Sequence, residues 1–341
     1  TAQTSPPSSA MGLASRDEVR VILAVSFSAL SALGSGLVVL VFLRFRRLHT
    51  FAFRIVFAIA CNDLLASSSY FWSSASLGDE GGPACQLQAF ASGYFYLASM
   101  AWSTATAYTM ERVFRSARSL TTINQNSLQT KFLVCCQIFP LLCALMPFVF
   151  NAYGFAGAWC WVKSPERDPD YEMIRIFAYY LWAWLAIAYC TYAYTHIYCA
   201  YKDMMVNNAY GSGESAFATW KILRFYPLAL LFSVAAGTAN RVHEAFNPSP
   251  FVLQILHVST ETNLGTLDAL IFFCNPLVRR ELRIYFDKKI NSAFTTSDMR
   301  PSELRQEPYE SSRNFSILSR KSFPDGQNDY KMMMTESGMH D

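Results

Sequence analysis

The chain has 341 residues, of which 52% are hydrophobic and only 16% charged, with a formal net charge of +3. A soluble globular domain carries roughly 25% charged residues, so an ordinary water-exposed surface is excluded for most of this chain. No nucleic acid is expected as a partner.

Residues 1–18 are polar and rich in Pro and Ser, with no apolar signal peptide of their own, so the first span is expected to act as the insertion signal. That span, Val21 to Leu43, holds no charged residue and exceeds the ~20 residues a helix needs to cross a bilayer. Arg44, Arg46, Arg47 and Arg54 flank the connection that follows. The second span, Ile55 to Leu77, is apolar apart from Asp63, about 14 Å from the Arg-flanked end at 1.5 Å per residue. The third, Cys85 to Met110, is uncharged and runs into Glu111-Arg112-Val113. Cys85 and Arg112 are separated by about 40 Å of helix, so they lie at opposite membrane surfaces. An acid followed by an arginine at a helix end can form a lock, in which the Arg pairs with its neighbour at rest and is freed when helices move. Alternatively, the two charges merely anchor the helix end.

The fourth uncharged block is Phe132 to Val162. The connection Asn151 to Tyr171 contains Trp159-Cys160-Trp161, whose rings can lie at the lipid interface or cap a pocket. Cys61, Cys135, Cys136, Cys143, Cys190, Cys199 and Cys274 fall within spans and read as small packing residues. Only Cys85 and Cys160 are expected on an oxidising side. A bridge between them would pin the connection over the bundle mouth; two free thiols are the alternative. The fifth span, Ile176 to Tyr201, contains His196 as its one ionisable group of this kind, and His196 lacks a second ligand at metal spacing. A Gly/Ser-containing connection, Lys202 to Phe217, leads to the sixth span, Trp220 to Asn240. Lys221 and Arg224 lie near its start, where long side chains can snorkel, and Arg241 follows its end.

The seventh span, Pro250 to Cys274, contains His257, Glu261 and Asp268, spaced four and seven apart and so on one helix face. Ionisable groups at membrane depth are costly and normally face the bundle interior. Asp268 is about 10 Å from its own helix end, a depth at which it could meet Asp63 and share a proton or a cation. A purely structural hydrogen-bonding role is the alternative for each. His257 and Glu261 lie one and two turns below the opposite end. With Asn240 and Arg241 they could hold a polar or anionic small molecule, or Arg241 could simply anchor its helix at the headgroups. The seventh span has no lysine for a retinal Schiff base, and the chain has no HExxH, P-loop or serine-hydrolase elbow. Neither an enzyme activity nor a cofactor nor a metal is expected.

Leu277 to Ile290 mixes apolar Leu282, Ile284, Tyr285 and Phe286 with basic residues, as an amphipathic helix on a membrane surface does. From residue 291 the chain is polar and Ser-rich, and is expected to be disordered. Arg112, Arg115, Arg118 and Lys131 flank the third connection, and Arg279, Arg280, Arg283, Lys288 and Lys289 follow the last span. The other side carries Asp79, Glu80, Glu166, Asp168 and Asp170. The Lys/Arg-rich side is cytoplasmic, so seven spans place the amino terminus outside and the carboxyl terminus inside. No internal repeat is visible, which weighs against a transporter built from duplicated halves. Ser311, Ser312, Ser316, Ser319 and Ser322 cluster around Arg313, Arg320 and Lys321, where phosphates would reverse the local charge.

Several stretches resemble one family. Tyr226-Pro227, Asn240-Arg241-Val242, Asn247-Pro248, Leu256-His257 and Leu264-Gly265-Thr266-Leu267-Asp268-Ala269-Leu270 are similar to the last two helices of the cyclic-AMP-receptor-like G-protein-coupled receptors of slime moulds and related eukaryotes. Asn62-Asp63-Leu64-Leu65-Ala66-Ser67 and Trp159-Cys160-Trp161 resemble the same family, and the similarity runs from about residue 20 to 285. It implies that Cys85 and Cys160 form the receptors' outer disulfide and that Asp63 is their second-helix acid. The sequence departs at Ser233-Val234-Ala235-Ala236, where many such receptors carry Cys-Trp-Leu-Pro, and at Gly34-Ser35-Gly36, where rhodopsin-like receptors carry Asn.

The combined expectation is an all-α, seven-transmembrane helix bundle in the plasma membrane. Its parts are an extracellular segment 1–18, a receptor domain 19–275, an amphipathic juxtamembrane helix 276–290 and a disordered cytoplasmic tail 291–341. The function implied is transmission of an extracellular small-molecule signal to a heterotrimeric G protein, with kinase and arrestin-like proteins acting on the tail. Asn240, Arg241, His257 and Glu261 would bind ligand, and Glu111, Arg112, Asp63 and Asp268 would form the activation switch. A seven-helix proton- or ion-coupled transporter or channel is the alternative.

Overall fold

The computed structural model describes residues 8–72, 81–119, 125–156, 159–163, 168–206 and 225–297. The chain divides into a unit spanning Thr1–Lys289 and a second, Ile290–Asp341. In the first unit the elements are α1 (Ser8–Arg44, with a 3-10 turn Arg46–Leu48 after it), α2 (Phe51–Ser69, extended by a 3-10 turn Tyr70–Trp72), α3 (Pro83–Ser119) and α4 (Gln125–Val149). A hairpin of β1 (Tyr153–Phe155) and β2 (Cys160–Val162) follows. Then come α5 (Pro169–Arg175), a π-helical turn (Ile176–Tyr180), α6 (Leu181–Val206), α7 (Phe225–Phe246), α8 (Phe251–Glu261), α9 (Leu264–Cys274) and α10 (Pro276–Ser297). Of the second unit, only the end of α10 is described.

The helices are inside out relative to a soluble protein. On α1, Ser28, Ser31 and Ser35 are fully buried while Leu33 and Leu40 are 67% and 62% exposed. On α4, Leu142 and Val149 project outward while Cys136 and Ala144 pack inward. Large apolar side chains on the outside and small polar ones inside are what a lipid solvent selects, because small residues let helices approach closely. Glu18–Arg44, Phe51–Ser69, Ser127–Val149 and Pro169–Ala200 are long and apolar enough to cross a membrane.

The helices close into a ring. α1 packs on α2, α8 and α9; α4 meets the π-helical turn; α6 touches α7, and α7 packs on α8 and α9. α3 runs through the middle, against α2, α4, α6, α7 and both strands. Glycine sets the closest approach. A side chain at Gly34 would meet Ala269 Cβ at 3.1 Å, so the departure from asparagine near this position lets α1 lie against α9. α4 stops at Val149, just before the connection expected from Asn151; Asn151 turns with φ 49°, and the connection folds into the antiparallel hairpin pairing Tyr153 with Val162 and Phe155 with Cys160. One expectation needs correction: the seventh span is not one helix, since it breaks at Thr262-Asn263 between α8 and α9.

Candidate functional site

At one end of the bundle the hairpin plugs the mouth. Cys85, at the start of α3, and Cys160, on β2, form the expected disulfide, with Cα atoms 5.2 Å apart. One turn along α3, Gln88 Oε1 accepts a hydrogen bond from the Cys160 backbone N–H at 3.1 Å. Trp159, Cys160, Trp161 and Val162 are all buried, so the aromatic pair caps the interior instead of facing lipid. Arg175, at the end of α5, is 1% exposed. Its Nε and Nη2 donate to the Val162 carbonyl at 3.1 and 2.8 Å, and its Nη1 donates to Glu172 at 2.7 Å. A buried cation with carbonyl and carboxylate acceptors is stable where a lone one is not, so Arg175 locks the hairpin to the base of α5.

Beneath the hairpin the expected ligand residues come together. His257 is buried, its Nε2 is 2.6 Å from Glu261 Oε2, and its Nδ1 is 3.3 Å from Asn240 Nδ2. Ser249 Oγ donates to Asn240 Oδ1 at 2.5 Å. The chain Ser249–Asn240–His257–Glu261 thus joins α7 to α8. A side chain at Gly237 would approach the His257 ring to 3.0 Å. Trp159 lies edge-on to His257 at 5.4 Å. Arg241 pairs with Glu244 at 2.6 Å and places its guanidinium 5.7 Å from the Trp161 ring, against which Arg175 also lies at 5.8 Å. Two cations on one indole form a cation–π cluster next to the His257–Glu261 pair. Arg241 therefore reaches inward, toward the hairpin.

Deeper in the bundle, Asp63 and Asp268 line the same narrow void, with Ser35, Tyr226 and Gly265 around them. Asp63 approaches both Ser99 and Asp268, yet neither of its carboxylate oxygens completes a hydrogen bond, and the same holds for Asp268 Oδ1. Ser67 Oγ donates to Ser31 Oγ at 2.8 Å nearby. Two fully buried carboxylates facing one another require a shared proton or cation.

At the far end of α3 the expected pairing of Glu111 with Arg112 does not form. Arg112 donates to the Tyr108 hydroxyl at 2.8 Å, one turn back on its own helix. Glu111 is buried and turns to α6, where Tyr189 donates to it at 3.1 Å and His196 Nδ1 lies 3.8 Å away. Adjacent helical residues do not face each other, so an acid and an arginine side by side point to different neighbours. His196, which sequence left isolated, is thus a partner of Glu111. Tyr189 and Arg175 were missed. Glu172 three residues before Arg175 was a visible pairing signal; nothing in the sequence pointed to Tyr189. The side chains of Arg115 and Arg118, the connection 207–224 and the serine cluster of the tail lie outside the described residues.

Among the described residues no cluster of three or more His, Cys, Asp or Glu side chains is placed to hold a metal ion. The profile of the slime mold cyclic AMP receptor family matches residues 11–315 of the chain. A 265-residue stretch is 26% identical to "G-protein coupled receptor 1" of Arabidopsis thaliana, covering 75% of this chain and 78% of that one. "Cyclic AMP receptor-like protein A" of Dictyostelium discoideum is 26% identical over 40% of this chain and 35% of its own length. "G-protein coupled receptor 157" of Homo sapiens is 32% identical over 41% of this chain and 43% of its own. Squid rhodopsin superposes with a TM-score of 0.67 at 16% identity, over 80% of this chain and 87% of that one, and shares the fold.

Proposed function

The chain belongs to the slime mold cyclic AMP receptor family and is a G-protein-coupled receptor of the plasma membrane, and within that role we propose how its two ends divide the work. Seven crossings, with the disulfide end outside and the Arg112 end inside, fit the placement of Arg44, Arg46, Arg47, Arg279 and Arg280 by the positive-inside rule. A small polar ligand enters at the disulfide end and is held by Asn240, Arg241, His257 and Glu261. The connected network from Ser249 to Glu261 carries this reading. It offers both charges and neutral donors within one enclosed region, under a lid that disulfide and Arg175 hold in place.

Glu111, Asp63 and Asp268 hold the resting state, and Arg112 contacts the G protein. The Glu111–Tyr189 bond ties α3 to α6; its release would let the inner face open. The Asp63–Asp268 pair sits between the two ends, where one shared proton or cation would bias the helices toward one arrangement. Kinases and arrestin-like proteins act on Ser311, Ser312, Ser316, Ser319 and Ser322; mass spectrometry of stimulated cells should find phosphate there. The decisive experiment is reconstitution in vesicles with a purified heterotrimeric G protein and a small-molecule library. Ligand-driven nucleotide exchange is the expected result. Solute or charge flux in vesicles lacking any G protein would instead support the transporter reading.

A further inference from the structure

The two ends of the bundle treat their cations differently. At the disulfide end Arg175 and Arg241 each meet a carboxylate, Glu172 at 2.7 Å and Glu244 at 2.6 Å. At the other end residues 44–54 carry four arginines and no acid, and residues 276–289 carry five cations against Glu281 and Asp287. Arg47 meets Glu281 at 3.3 Å. Arg44, Arg46, Arg279, Arg280, Arg283 and Lys288 are exposed, and none of them meets a carboxylate among the described residues. Most of this face therefore lacks a counter-charge within the chain. Arg44 is the cation placed at lipid. Leu30, Leu33, Leu37 and Leu40 are 48–67% exposed on α1, at the three- and four-residue spacing of one helix face. Arg44 is the next member of that stripe, four residues after Leu40. From Val21 to Arg44 is about 35 Å of helix, against a hydrocarbon core of ~30 Å, so the stripe passes from acyl chains to headgroups at Arg44. The Arg44 guanidinium lies 5.2 Å from the Tyr285 ring of α10 and 6.0 Å from the Phe45 ring, and the two rings meet edge to face at 5.5 Å. A guanidinium held by aromatic rings keeps its fork of N–H donors open, and that fork matches the geometry of a phosphate. Glu281, Tyr285 and Lys288 are spaced four and three apart, so Lys288 lies on the face of α10 that holds Arg44 and Arg47.

We propose that the corner between the end of α1 and α10 binds an acidic phospholipid of the inner leaflet, with its phosphate at Arg44 and Lys288 and its acyl chains along the leucine stripe. The inner leaflet rests on the orientation proposed above; the lipid site itself does not. Charge complementarity selects the headgroup. A phosphatidylcholine brings its own ammonium to a corner already rich in cations, whereas a net negative headgroup supplies the missing charge, worth about fivefold in affinity per basic residue. The stripe selects a lipid over a soluble phosphate or an acidic protein segment, because Arg44 continues the face on which the leucines meet acyl chains.

The full chain in phosphatidylcholine vesicles would be photolabelled with a trace of phosphatidylserine carrying a photoreactive group near its headgroup, and with a matched phosphatidylcholine probe. Phosphatidylserine labelling is expected on the peptides carrying residues 37–47 and 276–289, several-fold above the phosphatidylcholine signal. Unlabelled phosphatidylserine should compete it away, and water-soluble glycerophosphoserine should not. Arg44→Gln and Lys288→Gln should each weaken the competed labelling about fivefold, whereas Arg54→Gln, an exposed arginine bonded to Gln129 on α4 at 3.1 Å, should leave it unchanged. Equal labelling by the two lipids would overturn the proposal, as would competition by the soluble headgroup or an Arg54→Gln loss as large as that of Arg44→Gln. Competition on the unmodified receptor decides the question even if a variant does not fold. Both leaflets of the vesicle hold the same lipids, so labelling reads the site whichever face is cytoplasmic. Orientation is read separately, with an antibody to the C-terminal segment: staining of permeabilised cells alone supports the inner leaflet, and staining of intact cells would overturn that assignment.

Discussion

Glu111 and Arg112 share an α-helix end but not a partner. Because the Tyr189 hydroxyl is a donor to the buried Glu111 carboxylate, Tyr189→Phe removes a charge-assisted bond, of the kind worth about 1.5–3 kcal/mol, without changing charge. Its expected outcome is raised ligand-independent nucleotide exchange, measured with reconstituted G protein; an unchanged basal rate would remove the α3–α6 tie from the mechanism. Gly265 makes a different residue-scale argument. A side chain there would press into Ser35, Ser31 and the Asp63 Cβ, in a part of the bundle where α1, α2 and α9 meet. Overpacking of this kind costs about 1–3 kcal/mol, so Gly265→Ala should lower the thermal midpoint, while Gly36→Ala, which meets only the Leu64 side chain at 3.9 Å, should leave it nearly unchanged. Counting depth along a helix was enough to bring Asp63 and Asp268 together from sequence. It could not give the rotation of each side chain about its axis, and so it placed Glu111 beside Arg112 instead of beside Tyr189.

Whole elements were legible where the signal was a long uncharged run, as in α1, α3 and α6. The connection from Asn151 is legible too, but its folding into a buried hairpin is not, because that burial depends on bundle contacts that composition does not record. The hairpin is also where the disulfide acts. It closes a stretch of 75 residues, and the chain-entropy relation gives about 4 kcal/mol for a loop of that order in a free unfolded chain, less when the helices remain held in a bilayer. Cys85→Ser with Cys160→Ser should therefore lower the thermal midpoint. It should weaken ligand binding more than it weakens folding, because the lid over His257 loses one of its two anchors. Arg175→Ala removes the other anchor and leaves the Val162 carbonyl without its donors. Binding that survives both changes would show that the hairpin does not cover the ligand.

At the scale of the molecule, the ligand end and the Arg112 end are about 40 Å apart along α3, so no ligand touches both. Communication between them must be a coupling free energy, and such coupling is reciprocal: if ligand favours the form that binds G protein, G protein must favour the form that binds ligand, by the same factor. For typical couplings of 1–3 kcal/mol the factor is about 5–150. Adding nucleotide-free G protein to the purified receptor should thus tighten ligand binding within that range, and excess guanine nucleotide should reverse the effect by releasing the G protein. Arg112 is exposed and bonded only to Tyr108 among the described residues, so removing it disturbs little of the bundle. Arg112→Ala should therefore keep the affinity of the receptor alone and lose the tightening. Equilibrium binding with and without G protein, on both forms, reads the coupling directly. Tightening that persists in Arg112→Ala would place the G-protein contact elsewhere on that face, while a variant that no longer binds ligand even alone would show that Arg112 supports the fold of the pocket and not the transfer of the signal.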